Sequence, residues 1–181
     1  SYFWMKKKEI RDLVLRYSIL ILILLIGVKF FYVLFSKATL YSSYGFLKLI
    51  YPFAVLNGFE IWIGEKIVTI VGACIAGSAY LLLLILNLSI PKIKLKKRLI
   101  ILISSFFIFF IINIFRIIFL SVLYVNGSSS FDIAHKLLWY LGSTIIVVLI
   151  WFLEVWFFSI KEIPFYSDLK KIYKNTKKKI K

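Results

Sequence analysis

The sequence predicts an all-α polytopic membrane protein with about four transmembrane helices. A short extracytoplasmic interfacial segment, read as carrying a β-hairpin, precedes the second span. Three observations lead there. Of the 181 residues, 62% are hydrophobic and 19% aromatic, and the mean hydropathy is +0.94, whereas soluble domains are about half apolar. Several apolar runs reach the ~20 residues that cross a hydrocarbon core. The charged residues gather between those runs, as the positive-inside rule expects of cytoplasmic loops. The long runs lack the strict alternation of an outer-membrane barrel.

The first apolar run, 13–35, follows Lys6, Lys7, Lys8 and Arg11, so its N-terminal side is inside. It is long and lacks a small-residue cleavage site, so it reads as a span and not as a cleaved signal. A mixed segment, 36–70, comes next. Tyr41, Tyr44, Tyr51 and Pro52 suit headgroup depth, and 44–56 reads as an interfacial helix. Asn57-Gly58 is a turn signal. Beyond it, two β-rich stretches flank Gly64-Glu65, which reads as a small hairpin with a two-residue link. The competing reading starts the next helix early, but a helix over 61–90 is overlong for a span.

The second span covers 71–88. Five basic residues in 91–98 mark a cytoplasmic loop. The third span covers 99–124 and ends at the outer turn Asn126-Gly127-Ser128-Ser129-Ser130. The fourth covers 133–158, with Ser130 or Asp132 as its N-cap. The tail, 159–181, holds eight lysines and is cytoplasmic. Seventeen basic residues thus fall in three inner segments. Lys37, Lys48 and Lys66 lie outside, against Glu60, Glu65 and Asp132. The chain reads as a single membrane domain, 1–181, with both termini in the cytoplasm.

This placement also limits function. The net charge of +16 belongs to inner loops, so nucleic acid is not an expected partner. One Cys rules out an internal disulfide framework. One Cys and one His argue against a metal centre, and no cofactor is expected.

The same topology puts three rare groups at the outer boundary. Cys74, the only Cys, lies in Gly72-Ala73-Cys74-Ile75-Ala76-Gly77, in the first turn of the second span, where N–H groups and the helix dipole favour a thiolate. Taken alone, a Cys among small residues is ordinary helix packing. Arg116 lies near the outer end of the third span, where a charge is costly and marks a functional candidate. Snorkelling to headgroups is its bland explanation. Asn113 is one turn away on the same face, placed to orient Arg116 or simply to pack. His135, the only His, opens the fourth span. Imidazole suits proton transfer near neutral pH, and Asp132, three residues earlier, is placed to fix its tautomer. Taken alone, an interfacial His is unremarkable. Together, a Cys–His pair makes an activated nucleophile and an Arg supplies electrostatic stabilisation of an oxyanion. That combination points to acyl transfer through a thioester.

These residues resemble the archaeosortase/exosortase family of multi-pass membrane protein-sorting transpeptidases. The likeness rests on Ala73-Cys74 with Gly77, on Asn113 with Arg116, and on His135, in the family's order, over about 57–158. It implies Cys74 as nucleophile, Arg116 as stabiliser of the oxyanion or substrate carbonyl, and His135 as general acid/base. It also implies exported protein substrates ending in a short motif, an apolar helix and a basic cluster, cut outside the membrane and handed to an anchor. Many members have Cys-Ser-Gly or Cys-Thr-Gly where this chain has Cys74-Ile75-Ala76-Gly77, and many are longer, so the chain reads as a compact member. The alternative is a non-enzymatic membrane protein, a small transporter subunit or assembly partner, with Arg116 and Asn113 lining a polar outer pocket. A thiol-redox role would need a second Cys from a partner.

Overall fold

A computed structural model describes residues 27–90 and 93–160, together with Ser18 and Ile21. Most of the expected first span and the lysine-rich tail lie outside the described residues. The element order is α1 (Lys29–Ile50), β1 (Val55–Asn57), β2 (Glu60–Ile63), β3 (Lys66–Thr69), α2 (Gly72–Ile75), α3 (Gly77–Ser89), α4 (Leu95–Val125), α5 (Phe131–Leu137), a π-helical segment (Leu138–Gly142) and α6 (Ser143–Phe157).

Two helical stretches, Gly72–Ser89 and Leu95–Val125, are long and apolar enough to cross a membrane. The apolar helix α6 is shorter because the π segment interrupts the run from Phe131. The sorting of side chains on α4 is inverted relative to a soluble protein. Ile101, Ser105, Phe109, Asn113, Ile117 and Ser121 recur every four residues and are all buried, a bundle-facing stripe that winds around the helix by about 40° per step. Half of that stripe is polar. The opposite face, with Ile103, Phe107, Phe115 and Phe119, is apolar and exposed.

Two clusters form the core. One joins α1, α3, α4 and α6 through Phe31, Tyr80, Leu83, Phe109, Val147 and Ile150. Tyr80 is its hub, stacked on Phe35 at 4.0 Å and edge-on to Phe109 at 4.9 Å. The other seats the sheet on the helices: Ile61 and Ile63, on alternate positions of β2, pack with Leu40 and Leu47 of α1 and Ile117 of α4.

The sheet has order β1-β2-β3, all antiparallel. The expected hairpin is present. Ile63 pairs with Lys66 across Gly64-Glu65, and Gly64 takes φ +61°, the left-handed conformation such a turn requires. The sheet adds a third strand, β1, where the sequence reading had an interfacial helix over 44–56. Instead α1 runs to Ile50 without a break at Tyr41 or Tyr44. Thr39, Leu40, Ser43 and Leu47 bury one stripe, and that packing outweighs the interfacial character of the tyrosines.

Ala76 separates α2 from α3. It adopts φ 56°, ψ 44°, a left-handed conformation that costs a non-glycine residue roughly 1–2 kcal/mol. The next residue explains the close packing at this break. A Cβ built on Gly77 would lie 2.8 Å from both Tyr32 Cε1 and Val28 Cγ1. The room left by the small residues is therefore occupied by α1 of the same chain. Gly77→Val should destabilise the protein by about 1–3 kcal/mol through overpacking. A lower thermal unfolding midpoint in detergent checks this, and an unchanged midpoint refutes the close contact.

At the other end, the starts and ends of helices are stitched by cations. Arg98 donates from Nη1 to Asn87 O at 2.6 Å and Leu88 O at 2.9 Å, and from Nη2 to Ile90 O at 2.7 Å. Lys97 Nζ donates to Phe158 O at 2.7 Å. These meet the carbonyls left over at the ends of α3 and α6. Between them, Glu154 is only 3% exposed. It accepts from Ser105 Oγ at 2.6 Å and Ser104 Oγ at 3.0 Å, while Asn87 Nδ2 donates to Ser105 Oγ at 2.9 Å. The polar residues of α3, α4 and α6 thus find one another inside the bundle.

Candidate functional site

A cavity of about 210 Å³ opens where β3, α2, α4 and α5 meet. Cys74, Arg116 and His135 all line it. Its remaining wall is mostly apolar, with Ile117, Leu120, Phe131 and Trp139 among the contributors.

Cys74 is a free, half-buried thiol. It sits in α2, a single turn, and its N–H already donates to Val71 O at 2.8 Å. The break at Ala76 detaches this turn from α3. Cys74 lies in the first turn of the Gly72–Ser89 stretch, as expected, but the expected dipole of one continuous helix behind it needs correction. The groups that hold this turn come from α4. Asn113, 2% exposed, donates from Nδ2 to Cys74 O at 2.8 Å. Arg116 donates from Nη2 to Ala73 O at 3.4 Å. Both members of the Asn-x-x-Arg pair thus hold the cysteine turn, one helix turn apart on α4. Asn113 does not bond to Arg116 itself, and its Oδ1 has no partner among the described residues.

Arg116 has a second anchor that sequence reasoning missed: Nη1 donates to Ser143 Oγ at 2.6 Å. An arginine inside an apolar helix requires such a partner. The polar Gly142-Ser143-Thr144 step within an apolar run was the available signal. The π segment makes the meeting geometrically simple. In an unbroken α-helix of 3.6 residues per turn, His135 and Ser143 would diverge by about 80°. One extra residue in a π turn returns them to within about 20°.

His135 is exposed at the cavity rim. Its ring stacks on Phe131 at 5.4 Å and meets Trp139 edge-on at 5.7 Å. Among the described residues it makes no hydrogen bond to Cys74 or to Asp132, whose side chain is exposed. The aromatic sandwich, and not a carboxylate, orients the imidazole. The expected cap is also absent: Ser130 stands at the N-cap of α5 without a side-chain cap bond. Ser128 Oγ instead accepts from the Ser130 N–H at 3.3 Å.

No family model, curated protein or solved structure matches the chain.

Among the described residues, no three His, Cys, Asp or Glu side chains gather as a metal-binding group. What the cavity offers chemically is a thiol, a guanidinium fixed beside it, an imidazole at the rim and an apolar wall.

Proposed function

We propose that the protein is a membrane-embedded cysteine transpeptidase or protease of the archaeosortase/exosortase type. On this reading it cuts C-terminal sorting signals of exported proteins through a thioester and transfers them to an anchor. The observation that carries the proposal is the convergence of Cys74, Arg116 and His135 on one cavity, although they come from three separate stretches of chain. In the first step the Cys74 sulfur attacks the scissile carbonyl while its proton passes to His135. Arg116 faces the developing oxyanion. The C–N bond then breaks, and the leaving amine takes the proton from His135. An acceptor nucleophile, or water, attacks the thioester and frees the thiol.

The same proposal includes four spans with both termini inside and the site on the extracytoplasmic face. The apolar exterior of α4 and α6 supports it. So does the spacing of Arg98 and Arg116, about 27 Å apart along one helix, close to the ~30 Å of a hydrocarbon core. The substrates would be exported proteins bearing a terminal motif, an apolar helix and a basic cluster.

The decisive experiment is to trap the intermediate. The protein is co-produced with a tagged exported protein of that design, and the acyl-enzyme is sought on Cys74. We expect a tagged adduct that hydroxylamine releases. An adduct absent from Cys74, with processing intact, overturns the reading. The non-enzymatic alternative draws on one observation: the Arg116 bonds to Ser143 and Ala73 also describe an interhelical clamp. It predicts that no adduct forms and that no substrate is shortened.

A further inference from the structure

The cavity is bordered on one side by strand β3 and the residue that follows it. Residues Ile67, Val68, Thr69 and Ile70 line it, and β3 is an outer strand of the sheet, paired only with β2. Its hydrogen-bonding parity follows from the pairing. Val68 lies opposite Ile61 and Lys66 opposite Ile63, and the Ile70 N–H donates to Phe59 O at 2.9 Å. In an antiparallel ladder, hydrogen-bonded and non-hydrogen-bonded pairs alternate. Lys66, Val68 and Ile70 therefore turn their N–H and C=O toward β2. Ile67 and Thr69 turn theirs to the open edge, and among the described residues no strand pairs with that edge. Two residues beyond Thr69 the chain enters the turn that carries Cys74. An unpaired strand edge is a template for another strand, and here it leads directly to the thiol.

We infer that the substrate polypeptide binds as an added strand on β3, its main chain paired with Ile67 and Thr69 and its scissile carbonyl delivered to Cys74 and Arg116. This deepens the proposed function and rests on that reading for the identity of the reaction. Main-chain pairing of this kind gives affinity, while pockets for alternate side chains give preference. The apolar wall formed by Ile117, Leu120 and Trp139 suits apolar side chains at every second position. The ligand class is thus an extended segment with alternating apolar residues.

The test uses the full chain in detergent and a peptide reagent, acetyl-Val-Ala-Val-Ala chloromethyl ketone, with versions N-methylated at each residue in turn. The Cys74 thiolate displaces chloride from the methylene carbon: the S–C bond forms, the C–Cl bond breaks, and the thiol proton goes to His135 or solvent. Alkylation should slow roughly tenfold when alternate residues are methylated and stay unchanged at the intervening ones, since only alternate amides meet β3. Thr69→Pro removes an edge donor and keeps the β2 ladder, as edge strands tolerate proline on the open side. It should slow the peptide reagent by a similar factor. Iodoacetamide, which needs no strand edge, reports in parallel whether the variant's thiol remains reachable. A uniform effect of methylation, a wild-type rate in Thr69→Pro, or a dimer that Thr69→Pro splits would each overturn strand docking. Because a chloromethyl ketone alkylates any thiol presented to it, the alternation can be read even where the acyl-enzyme trap fails, so the two failures are distinguishable.

Discussion

Cys74→Ala is expected to abolish processing of a tagged sorting substrate while the protein still inserts and folds. Removal of a catalytic nucleophile costs on the order of 10⁴- to 10⁶-fold in rate, since neither Arg116 nor His135 can form the covalent intermediate. The structural consequence should be small by comparison. Cys74 is half-buried at a cavity wall, and its turn is held through backbone carbonyls, with Asn113 on Cys74 O and Arg116 on Ala73 O. Both contacts survive truncation of the side chain. Cys74→Ser should also fail, because a hydroxyl lacks the intrinsic nucleophilicity of a thiolate. Two measurements belong together: the yield of shortened substrate and the thermal midpoint of the purified variant. Normal processing by Cys74→Ala removes the enzyme reading altogether.

Much of this site was legible in the sequence, for a physical reason. In a chain that is 62% hydrophobic, a lone thiol, a lone imidazole and an arginine inside an apolar run stand out, and the segregation of charge ranks them by depth. The β2–β3 hairpin was legible because a two-residue glycine link between β-rich stretches has few other folds. The features that escaped depend on tertiary contacts. Strand β1 is three residues long and carries too little periodicity to register. The left-handed Ala76 stands beside the close approach of α1 to Gly77, and alanine gives no local warning of it. The π segment cannot be read from Leu138-Trp139-Tyr140-Leu141-Gly142, although it sets the rotation of Ser143 relative to His135. Glu154 passed unremarked because its partners, Ser104 and Ser105, come from another helix, with Asn87 of a third helix joined through Ser105. The expectation that failed most instructively concerns Asp132. Spacing of three residues puts it on the same helix face as His135, yet the imidazole is held by Phe131 and Trp139. Sequence distance locates neighbours on a helix but not which of them a ring prefers once an aromatic wall is present.

Arg116 carries the second large effect, and it separates stabilisation of a transition state from mere clamping. Arg116→Lys retains a positive charge but loses the planar fork that reaches Ser143 on one side and Ala73 on the other. If the guanidinium faces the oxyanion, the rate of substrate cleavage should fall by roughly 10²–10³-fold, the cost of losing one such donor. The fall should appear in kcat with KM little changed, because the interaction strengthens only as charge develops on the carbonyl. Ser143→Ala tests the clamp by itself. It leaves the guanidinium in place beside Cys74 and removes one anchor, so turnover should drop by about tenfold or less. Under a purely structural role the two variants would behave alike: thermal midpoint and activity would decline together, and KM would rise as the cavity loosened. Under the catalytic role they diverge, with Arg116→Lys far slower at saturating substrate than its change in stability accounts for. Iodoacetamide labelling of Cys74 in each variant shows whether the thiol is still presented to the cavity. A saturating rate for Arg116→Lys within a factor of a few of wild type would remove Arg116 from the chemistry and leave it as the pin between α4, α6 and the cysteine turn.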